Sequence, residues 1–246
     1  MIVHDFPQGS PEWLNARLGV CSASNMHRVV TDAGKLRKAK SGDGLAQGAQ
    51  TYMHELLTEW ILGMPVHAEA NQFMQRGTEL EEEAAAWYSW ENDCPLTKCG
   101  FITTDCGQVG ASPDRLIGDA GILEIKCPSA VQHVANLLCM TDEYDVQVQT
   151  QLYVTGRDYA DLLSYSPTIP SVVKRIEKNA EFQANLHESL FSEGGFLHWL
   201  QASKAILEHA QAATPPCSCG SREGVKEIDE IWTCAKCQAL TKEIFG

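Results

Sequence analysis

Residues 98–126 differ in character from the chain on either side, and this contrast constrains the fold more than any other feature of the sequence. Upstream, Ser10-Pro11-Glu12 has the form of a helix start, and longer helices are expected at about 49–62 and 69–92. Within 98–126, short β-prone runs alternate with Asp-Cys-Gly and Gly-Asp-Ala-Gly turns. The sequence therefore predicts a small β-meander that follows an α-rich segment.

Helical and β-prone segments alternate after the meander. Helices are expected from Pro128 and over about 143–155, strands at 159–166 and 170–177, and helices again over about 179–212. The order along the chain is α-rich, β, α, β and α. This order predicts an α/β sandwich built around a mixed central sheet with helices on its faces.

Thr214-Pro215-Pro216 is a stiff linker, which predicts a division of the chain into two parts. The first part, 1–212, is long enough to bury a full core, because 44% of the 246 residues are hydrophobic. The second part, 213–246, is a short Cys-rich module with few large apolar side chains. No stretch approaches the roughly 18 apolar residues of a membrane helix. The sequence also opens without a leader-like segment, so we expect a cytoplasmic protein.

The strongest chemical motif lies in the meander, where Ser112-Pro113-Asp114 is followed after nine residues by Glu124-Ile125-Lys126. On a strand, Glu124 and Lys126 share one face, and a neighbouring hairpin strand can bring Asp114 beside Glu124. Two clustered carboxylates repel each other unless a cation joins them, and oxygen ligands suit Mg²⁺ or Mn²⁺. A lysine beside that cation can orient or deprotonate a water molecule. This is the minimal equipment for phosphodiester hydrolysis.

A structural interpretation of the same residues stays open. Pro-Asp often begins a turn, and a Glu-x-Lys pair on a strand is often solvated. The apolar neighbours favour the catalytic interpretation, because Ile122, Leu123 and Ile125 make the strand too apolar for a free edge. Glu124 and Lys126 are then partly buried charges, which are rare without a functional role.

Five short elements occur in the same order as the motifs of a known family. They are Arg17–Ser24, Arg76–Glu81, Ser112-Pro113-Asp114, Glu124-Ile125-Lys126-Cys127-Pro128 and Gln147-Val148-Gln149. Together they resemble the successive motifs of the lambda-type phage exonucleases of the PD-(D/E)XK superfamily, over about residues 10–178. The resemblance implies a PD-(D/E)XK, restriction-endonuclease-like core and the activity of a metal-dependent deoxyribonuclease.

The resemblance also implies a role for each matching residue of the catalytic centre. Asp114, Glu124 and the backbone carbonyl of Ile125 would bind the metal, and Lys126 would be the catalytic lysine. Glu81 would be an additional acidic group near the metal, and Gln147 an active-site glutamine that reaches in from a helix. Without the resemblance, Glu81 is one more solvated acid in the run 79–83 and Gln147 is a surface group.

A second set, Arg17, Ser24 and Ser112, matches the family's pocket for the 5′-phosphate of DNA. Such a pocket is physically reasonable, since a helix start offers free N–H groups, hydroxyls add donors, and one arginine can bind two phosphate oxygens. The alternative is that Ser24 only caps a helix and Arg17 lies on a solvated face.

The formal net charge of −13 argues against a broad basic face for nucleic acid. Positive charge is concentrated at Lys35, Arg37, Lys38 and Lys40, in a Gly-, Lys- and Asp-rich stretch at 31–48 that predicts a mobile loop. A charge run of this kind is usually a solvated segment, and beside a nuclease centre it is also a candidate grip on the duplex backbone. In the family a residue from this region enters the DNA, and Arg37 is the matching candidate.

Four cysteines near the carboxyl end fall into two pairs, Cys217 with Cys219 and Cys234 with Cys237. Two such pairs around a β-like stretch at 228–233 resemble a zinc ribbon, in which four thiolates bind one structural Zn²⁺. The one-residue gap in the first pair departs from the usual spacing. Free or disulfide-linked cysteines are the alternative, and extra DNA grip and partner docking are both open as roles for the module.

These observations support one leading function and two alternatives. The leading hypothesis is a Mg²⁺-dependent 5′→3′ exonuclease that degrades linear double-stranded DNA to 3′ single strands for phage recombination in a bacterial host cell. The resemblance further implies a ring-shaped homotrimer and a single-strand annealing protein as partner. The alternatives are a structure-specific endonuclease or nickase of the same superfamily, and a nuclease-inactive zinc-ribbon protein that binds DNA or acts as an adaptor.

Overall fold

The computed structural model describes residues 1–42, 44–66, 72–140, 142–213, 226–228 and 231–233. The chain divides into two compact units, Met1–His198 and Trp199–Gly246. The division falls inside the last long helix, upstream of the Thr214-Pro215-Pro216 linker. The organisation into a domain at 1–212 and a module at 213–246 therefore stays a prediction.

Helices and strands follow one another in an order close to the predicted one. The first part contains β1 (Ile2–His4), α1 (Pro11–Arg17), β2 (Cys21–Ser22), a 3-10 helix (Ala23–Arg28), α2 (Gln47–Leu62) and α3 (Gln72–Glu91). The middle contains β3 (Leu96–Thr97), β4 (Phe101–Thr103), β5 (Val109–Ala111), β6 (Arg115–Ile117), β7 (Gly121–Lys126), α4 (Ala130–Leu138), α5 (Asp145–Thr155), β8 (Tyr159–Ser164) and β9 (Val172–Glu177). The remainder contains α6 (Ala180–Phe191), α7 (Phe196–Ala213), β10 (Lys226–Ile228) and β11 (Ile231–Thr233).

Helix ends follow local chemistry. Ser10 caps α1, because its hydroxyl accepts a hydrogen bond from the Trp13 N–H, and Pro11 occupies the first helical position, where no N–H is needed. Helices α2 and α5 end at Gly63 and Gly156, which adopt left-handed backbone conformations with φ of +64° and +70°. These signals are local, so the sequence predicts them well.

The larger sheet has five strands in the order β3-β6-β7-β8-β9. Strands β7 and β8 run parallel and pair along their full length, from Gly121 opposite Tyr159 to Lys126 opposite Ser164, while the other neighbours are antiparallel. The predicted mixed α/β fold is confirmed. Strand β7 lies at the centre of the sheet and carries the Glu-x-Lys motif.

The predicted single meander is wrong in one respect, because the structure has two mixed sheets. Strands β4 and β5 belong to a four-stranded sheet with the order β1-β4-β5-β2, whereas β6 and β7 belong to the larger sheet. The chain passes from one sheet to the other at Ser112-Pro113-Asp114. Proline has no N–H for a strand ladder, which suits it to this crossover.

Two hydrophobic clusters cover the two faces of β7. One contains Leu123 and Ile125 together with Ala84, Ala85 and Tyr88 of α3. The other contains Ile122 together with Val148 and Leu152 of α5 and with Ala160, Leu162 and Ile176 of β8 and β9. Because side chains alternate along a strand, Glu124 and Lys126 share the face of Ile122 and point toward α5.

The segment that was expected to be a mobile loop, 31–48, is instead hydrogen-bonded to its surroundings over 31–40. Arg37 N donates to the carbonyl of Val29 at 2.8 Å, and the Ser189 hydroxyl of α6 donates to the carbonyl of Gly34 at 2.9 Å. Gly34 has a φ of +76°, and a Cβ there would lie 2.7 Å from the carbonyl oxygen of Phe182. A close approach of two backbones holds this segment, and composition alone does not reveal it.

At the carboxyl end, β10 and β11 form an antiparallel pair with Lys226 opposite Thr233. The four cysteines of the predicted zinc site, Cys217, Cys219, Cys234 and Cys237, lie outside the described residues, so the zinc site stays a prediction. Among the helices that the structure describes, none is long and apolar enough to cross a membrane.

Candidate active site

Glu124 and Lys126 form a partly buried ion pair on the α5 face of β7. Lys126 Nζ donates to Glu124 Oε1 at 2.6 Å, and Glu124 is 4% exposed. The Lys126 ammonium also lies 4.6 Å from the centre of the Tyr144 ring, a cation–π contact at the start of α5. A buried carboxylate is costly without compensation, and the ammonium supplies part of it.

Asp114 reaches the same centre from the neighbouring strand. The register of β6 and β7 pairs Arg115 with Leu123, and Asp114 Oδ2 accepts a hydrogen bond from the Ile125 N–H at 2.5 Å. Burial and the negative charges of Glu124 and Glu81 raise the pKa of Asp114 well above its usual value, although the Ile125 N–H opposes the shift. The structure therefore brings Asp114, Glu124 and Lys126 together.

Two glutamines of α5 donate hydrogen bonds to the Glu124 carboxylate. Gln147 Nε2 donates to Glu124 Oε1 at 2.6 Å, and Gln151 Nε2 donates to Glu124 Oε2 at 2.7 Å. The two are four residues apart and so lie on one face of the helix. Gln147 was predicted from the resemblance, whereas Gln151 was missed. The four-residue spacing from Gln147 was the sequence feature that could have identified Gln151.

Glu81 lies near Asp114 but is paired with an arginine that the sequence analysis did not single out. Arg115 Nη1 donates to Glu81 Oε1 at 2.6 Å and to the carbonyl of Asp114 at 2.5 Å. Its Nη2 lies 2.9 Å from Glu82 Oε1. Arg115 is 4% exposed, so it is a buried cation between the acidic residues of α3 and the start of β6. Its position directly after Pro113-Asp114 was the sequence feature that could have identified Arg115.

Arg17, Ser24 and Ser112 line one small cavity of about 40 Å³, together with Gln147 and Gln151. The Arg17 guanidinium stacks 4.1 Å from the centre of the Trp13 ring, and Trp13 Nε1 donates to Ser112 Oγ at 3.1 Å. Ser24 lies inside the 3-10 helix and Ser22 occupies the cap position, so Ser24 is not a helix cap. Burial lowers the pKa of Arg17, and a bound anion would offset this.

A larger cleft of about 1350 Å³ adjoins this region and is lined by Arg17, Asp114 and Glu81 among others. Three other cations of the cleft face carboxylates: Arg28 with Glu55 at 2.6 Å, Lys98 with Glu82 at 2.5 Å, and Arg115 with Glu81 at 2.6 Å. Arg17 differs, because over the described residues its close contacts are the Trp13 and Phe101 rings and no carboxylate lies within 4 Å. Of these four cleft cations, Arg17 is the one without an ion pair in the described part of the chain, although the nearby Glu59 charge opposes the lowering of its pKa by burial, and its guanidinium can take an anionic ligand.

The basic residues of the 31–48 segment do not lie at the candidate active site. None of Lys35, Arg37, Lys38 and Lys40 lines either cavity described above. Arg37 Nε donates to the carbonyls of His27 and Val30 at 3.0 and 2.8 Å, so this side chain holds the 31–48 segment against the end of the 3-10 helix. A role in DNA contact stays a prediction for the cluster.

A divalent cation would find a small set of oxygen donors at this centre. Over the described residues, no group of three or more His, Cys, Asp and Glu side chains is gathered for a metal. Asp114 and Glu124 nevertheless provide two carboxylates near the backbone carbonyl of Ile125, and their mutual repulsion is what a divalent cation relieves. The residues present fit a hard metal ion held in part by water or substrate oxygens.

Comparisons with known proteins agree with this geometry. Residues 12–158 match the model of the YqaJ-like viral recombinase domain family. Crystal structures of an alkaline exonuclease from Laribacter hongkongensis, LHK-Exo, are 34% identical, and each match covers 82% of this chain and 98% of that chain. The TM-score is 0.67 for one structure and 0.69 for the complex with dAMP. A comparison with curated proteins gave no match.

A phage-related exonuclease from Haemophilus somnus 129PT shows the same fold at 16% identity, with a TM-score of 0.59 and coverage of 78% of this chain and 96% of that chain. The resemblance to phage recombination nucleases that the sequence predicted is confirmed. This chain is thus related to nucleases, and it belongs to the YqaJ-like viral recombinase domain family.

Proposed function

We propose that this protein is a divalent-metal-dependent exonuclease that degrades linear double-stranded DNA in the 5′→3′ direction and leaves a 3′ single strand for recombination. The observation that carries the proposal is the convergence of Asp114, Glu124 and Lys126 at β7, beside a cavity lined by Arg17. Hydrolysis and recognition of a phosphate end would then take place side by side.

Asp114, Glu124 and the carbonyl of Ile125 would hold Mg²⁺ or Mn²⁺. The bound ion would lower the pKa of a water molecule and stabilise negative charge on the phosphate. Within the protein, Lys126 lies 2.6 Å from Glu124 and can hold the attacking water by hydrogen bonding. Gln147 contacts both Glu124 and Lys126, at 2.6 and 3.5 Å, and so fixes the two groups relative to each other.

Polarity is inferred from the phosphate pocket. Arg17 offers a guanidinium without a carboxylate partner in the described part of the chain, and Ser24 and Ser112 add hydroxyls in the same cavity. This set suits the doubly charged phosphate of a 5′ end. The related exonuclease LHK-Exo has been crystallised with dAMP, a deoxynucleoside monophosphate that such an enzyme would release.

The test is digestion of linear duplex DNA that carries either a 5′-phosphate or a 5′-hydroxyl, with Mg²⁺ or with EDTA. We expect rapid digestion of the phosphorylated duplex with Mg²⁺ and none with EDTA. Lys126→Ala should remain folded by circular dichroism and lose cleavage by roughly 1000-fold or more, the scale of general acid–base contributions. Cleavage by this variant at the wild-type rate would contradict the proposal.

Circular duplex without ends is the control for the endonuclease alternative. An exonuclease leaves it intact, and a nickase converts it to the relaxed form. Equal DNA binding by wild type and Asp114→Ala, with no cleavage by either, would instead favour the nuclease-inactive alternative.

The proposal also includes the oligomeric state of the protein and a structural zinc site. We infer a ring-shaped homotrimer that encloses DNA and delivers its product to a single-strand annealing protein, which would let an acidic chain stay on its substrate. Cys217, Cys219, Cys234 and Cys237 would bind one structural Zn²⁺. Light scattering and metal analysis test these points: we expect a trimer with about one zinc per chain, and a monomer without zinc would contradict both.

A further inference from the structure

Gln151 combines complete burial with a hydrogen-bonding atom that has no partner. It is 1% exposed, and its Nε2 donates to Glu124 Oε2 at 2.7 Å. Over the described residues, its Oε1 has no hydrogen-bond partner. The assignment of the two atoms is fixed by chemistry, because a carboxylate oxygen accepts and therefore faces the amide nitrogen. Leaving a buried amide oxygen unpaired is destabilising, so its retention calls for a reason.

The surroundings supply the reason. Gln151 lines the 40 Å³ cavity that it shares with Arg17, Ser24 and Ser112, and this volume is sufficient for a water molecule with polar partners on several sides. The same side chain therefore touches the carboxylate of the metal centre and the wall of the phosphate pocket.

We propose that Gln151 is a positioning residue that fixes Glu124 for the metal and links it, through a water bound in this cavity, to the phosphate pocket. The inference rests on the proposed function. Gln147 and Gln151 each hold one oxygen of Glu124, so together they fix the rotation of the carboxylate. Loss of a group that orients a metal ligand in this way typically lowers metal affinity or activity by about 10- to 100-fold.

Gln149 offers a matched control on the same helix. It is a buried glutamine as well, but its Nε2 donates to the Glu177 carbonyl at 2.7 Å and its Oε1 accepts from the Asn179 N–H at 3.0 Å. It supports the packing of α5 and makes no described contact with Glu124. Gln149→Met therefore removes a buried amide of equal size without touching the centre.

The experiment measures Mn²⁺ binding by calorimetry, without DNA, together with thermal unfolding. We expect Gln151→Met to weaken Mn²⁺ binding about 10-fold or more and to lower the melting temperature, because the buried Glu124 carboxylate loses the donor on its Oε2. Gln149→Met should also lower the melting temperature, because two hydrogen bonds are lost, but it should leave Mn²⁺ affinity unchanged. Gln151→Ser, which leaves room for water, should also bind Mn²⁺ weakly and serves if the Met variant does not fold.

A second measurement tests the link to the phosphate pocket. The ratio of digestion rates on 5′-phosphorylated and 5′-hydroxyl duplex should fall in Gln151→Met and stay unchanged in Gln149→Met. Wild-type Mn²⁺ affinity and an unchanged ratio in both Gln151 variants would overturn the inference and leave the proposed function intact. A wild-type protein that neither binds Mn²⁺ nor cleaves DNA would instead overturn the proposed function.

Discussion

At the scale of the residue, the centre is built around a carboxylate that is almost fully buried. Glu124 is 4% exposed and receives hydrogen bonds from Lys126, Gln147 and Gln151. Three donors on two oxygens compensate the charge and leave few orientations for the side chain. A carboxylate held in this way is suited to bind a cation in one defined position.

Arg17 is the residue on which the choice of DNA end should depend. Arg17→Gln keeps much of the side-chain volume but removes the charge, and a charge-assisted pair with phosphate is worth roughly 3 kcal/mol, or on the order of 100-fold in rate. We expect digestion of 5′-phosphorylated duplex to fall by about this factor, toward the rate on 5′-hydroxyl duplex. Initial rates on the two substrates measure the effect.

Arg28 provides the comparison, because it faces the same cleft but is paired with Glu55 through two hydrogen bonds of 2.6 and 2.9 Å. Arg28→Gln should leave the ratio of the two rates as it is in the wild type. An equal loss of preference in both variants would show that general cleft charge, and not the Arg17 pocket, selects the end.

The sequence reveals the residues whose relation is local and hides those that depend on tertiary contacts. Glu124 and Lys126 follow from strand alternation alone, and Asp114 from one neighbouring strand. Gln151 and Arg115 were missed, because their partners, Glu124 and Glu81, are brought to them from distant parts of the chain. Composition gave no sign that either side chain would be buried.

At the scale of the element, helix limits were predictable and sheet membership was not. Ser10 caps the start of α1 and Gly156 ends α5, each through local chemistry. By contrast, Ser112-Pro113-Asp114 has the composition of any turn, and nothing local states that the next strand joins a different sheet. The 31–48 segment is a similar case, since its order depends on contacts with α6.

Substitution of Gly34 tests whether the 31–48 segment is held in place by α6. Its φ of +76° and the 2.7 Å approach of a Cβ to the Phe182 carbonyl mean that Gly34→Ala must strain the backbone and displace the loop from α6. We expect the free energy of unfolding to fall by roughly 3 kcal/mol. Urea denaturation followed by circular dichroism gives the value.

Substitution of Gly42 separates backbone strain from steric displacement of the loop, because Gly42 has a φ of +85° but no atom within 4 Å of a Cβ. Gly42→Ala should cost only the backbone strain, about 1 kcal/mol. Equal losses at the two positions would mean that the loop is not closely packed on α6.

At the scale of the whole molecule, acidity and cleft pairing together limit electrostatic binding. The net charge is −13, and the cleft cations Arg28, Lys98 and Arg115 already face carboxylates. Few cations of the cleft are then free to displace counterions from DNA. Binding should depend on the end of the duplex more than on its length.

The salt dependence of binding measures this point. For cleavage-deficient Lys126→Ala on a short phosphorylated duplex, we expect the logarithm of the association constant to fall with the logarithm of KCl concentration with a slope no steeper than about −3 per protomer. Fluorescence anisotropy over a range of KCl gives the slope. A slope near −8 would indicate a broad basic face elsewhere in the chain.

At the crossover of Ser112-Pro113-Asp114, the proposed phosphate pocket and the proposed hydrolytic centre meet from two different sheets. Arg17 and Ser24 flank β2 of the smaller sheet, whereas Glu124 and Lys126 lie on β7 of the larger one and Asp114 directly precedes β6. Asp114 is tied to the Ile125 N–H, so its distance from Glu124 is set within the larger sheet. A DNA end bound in the proposed pocket would therefore meet two carboxylates whose spacing the larger sheet has already set.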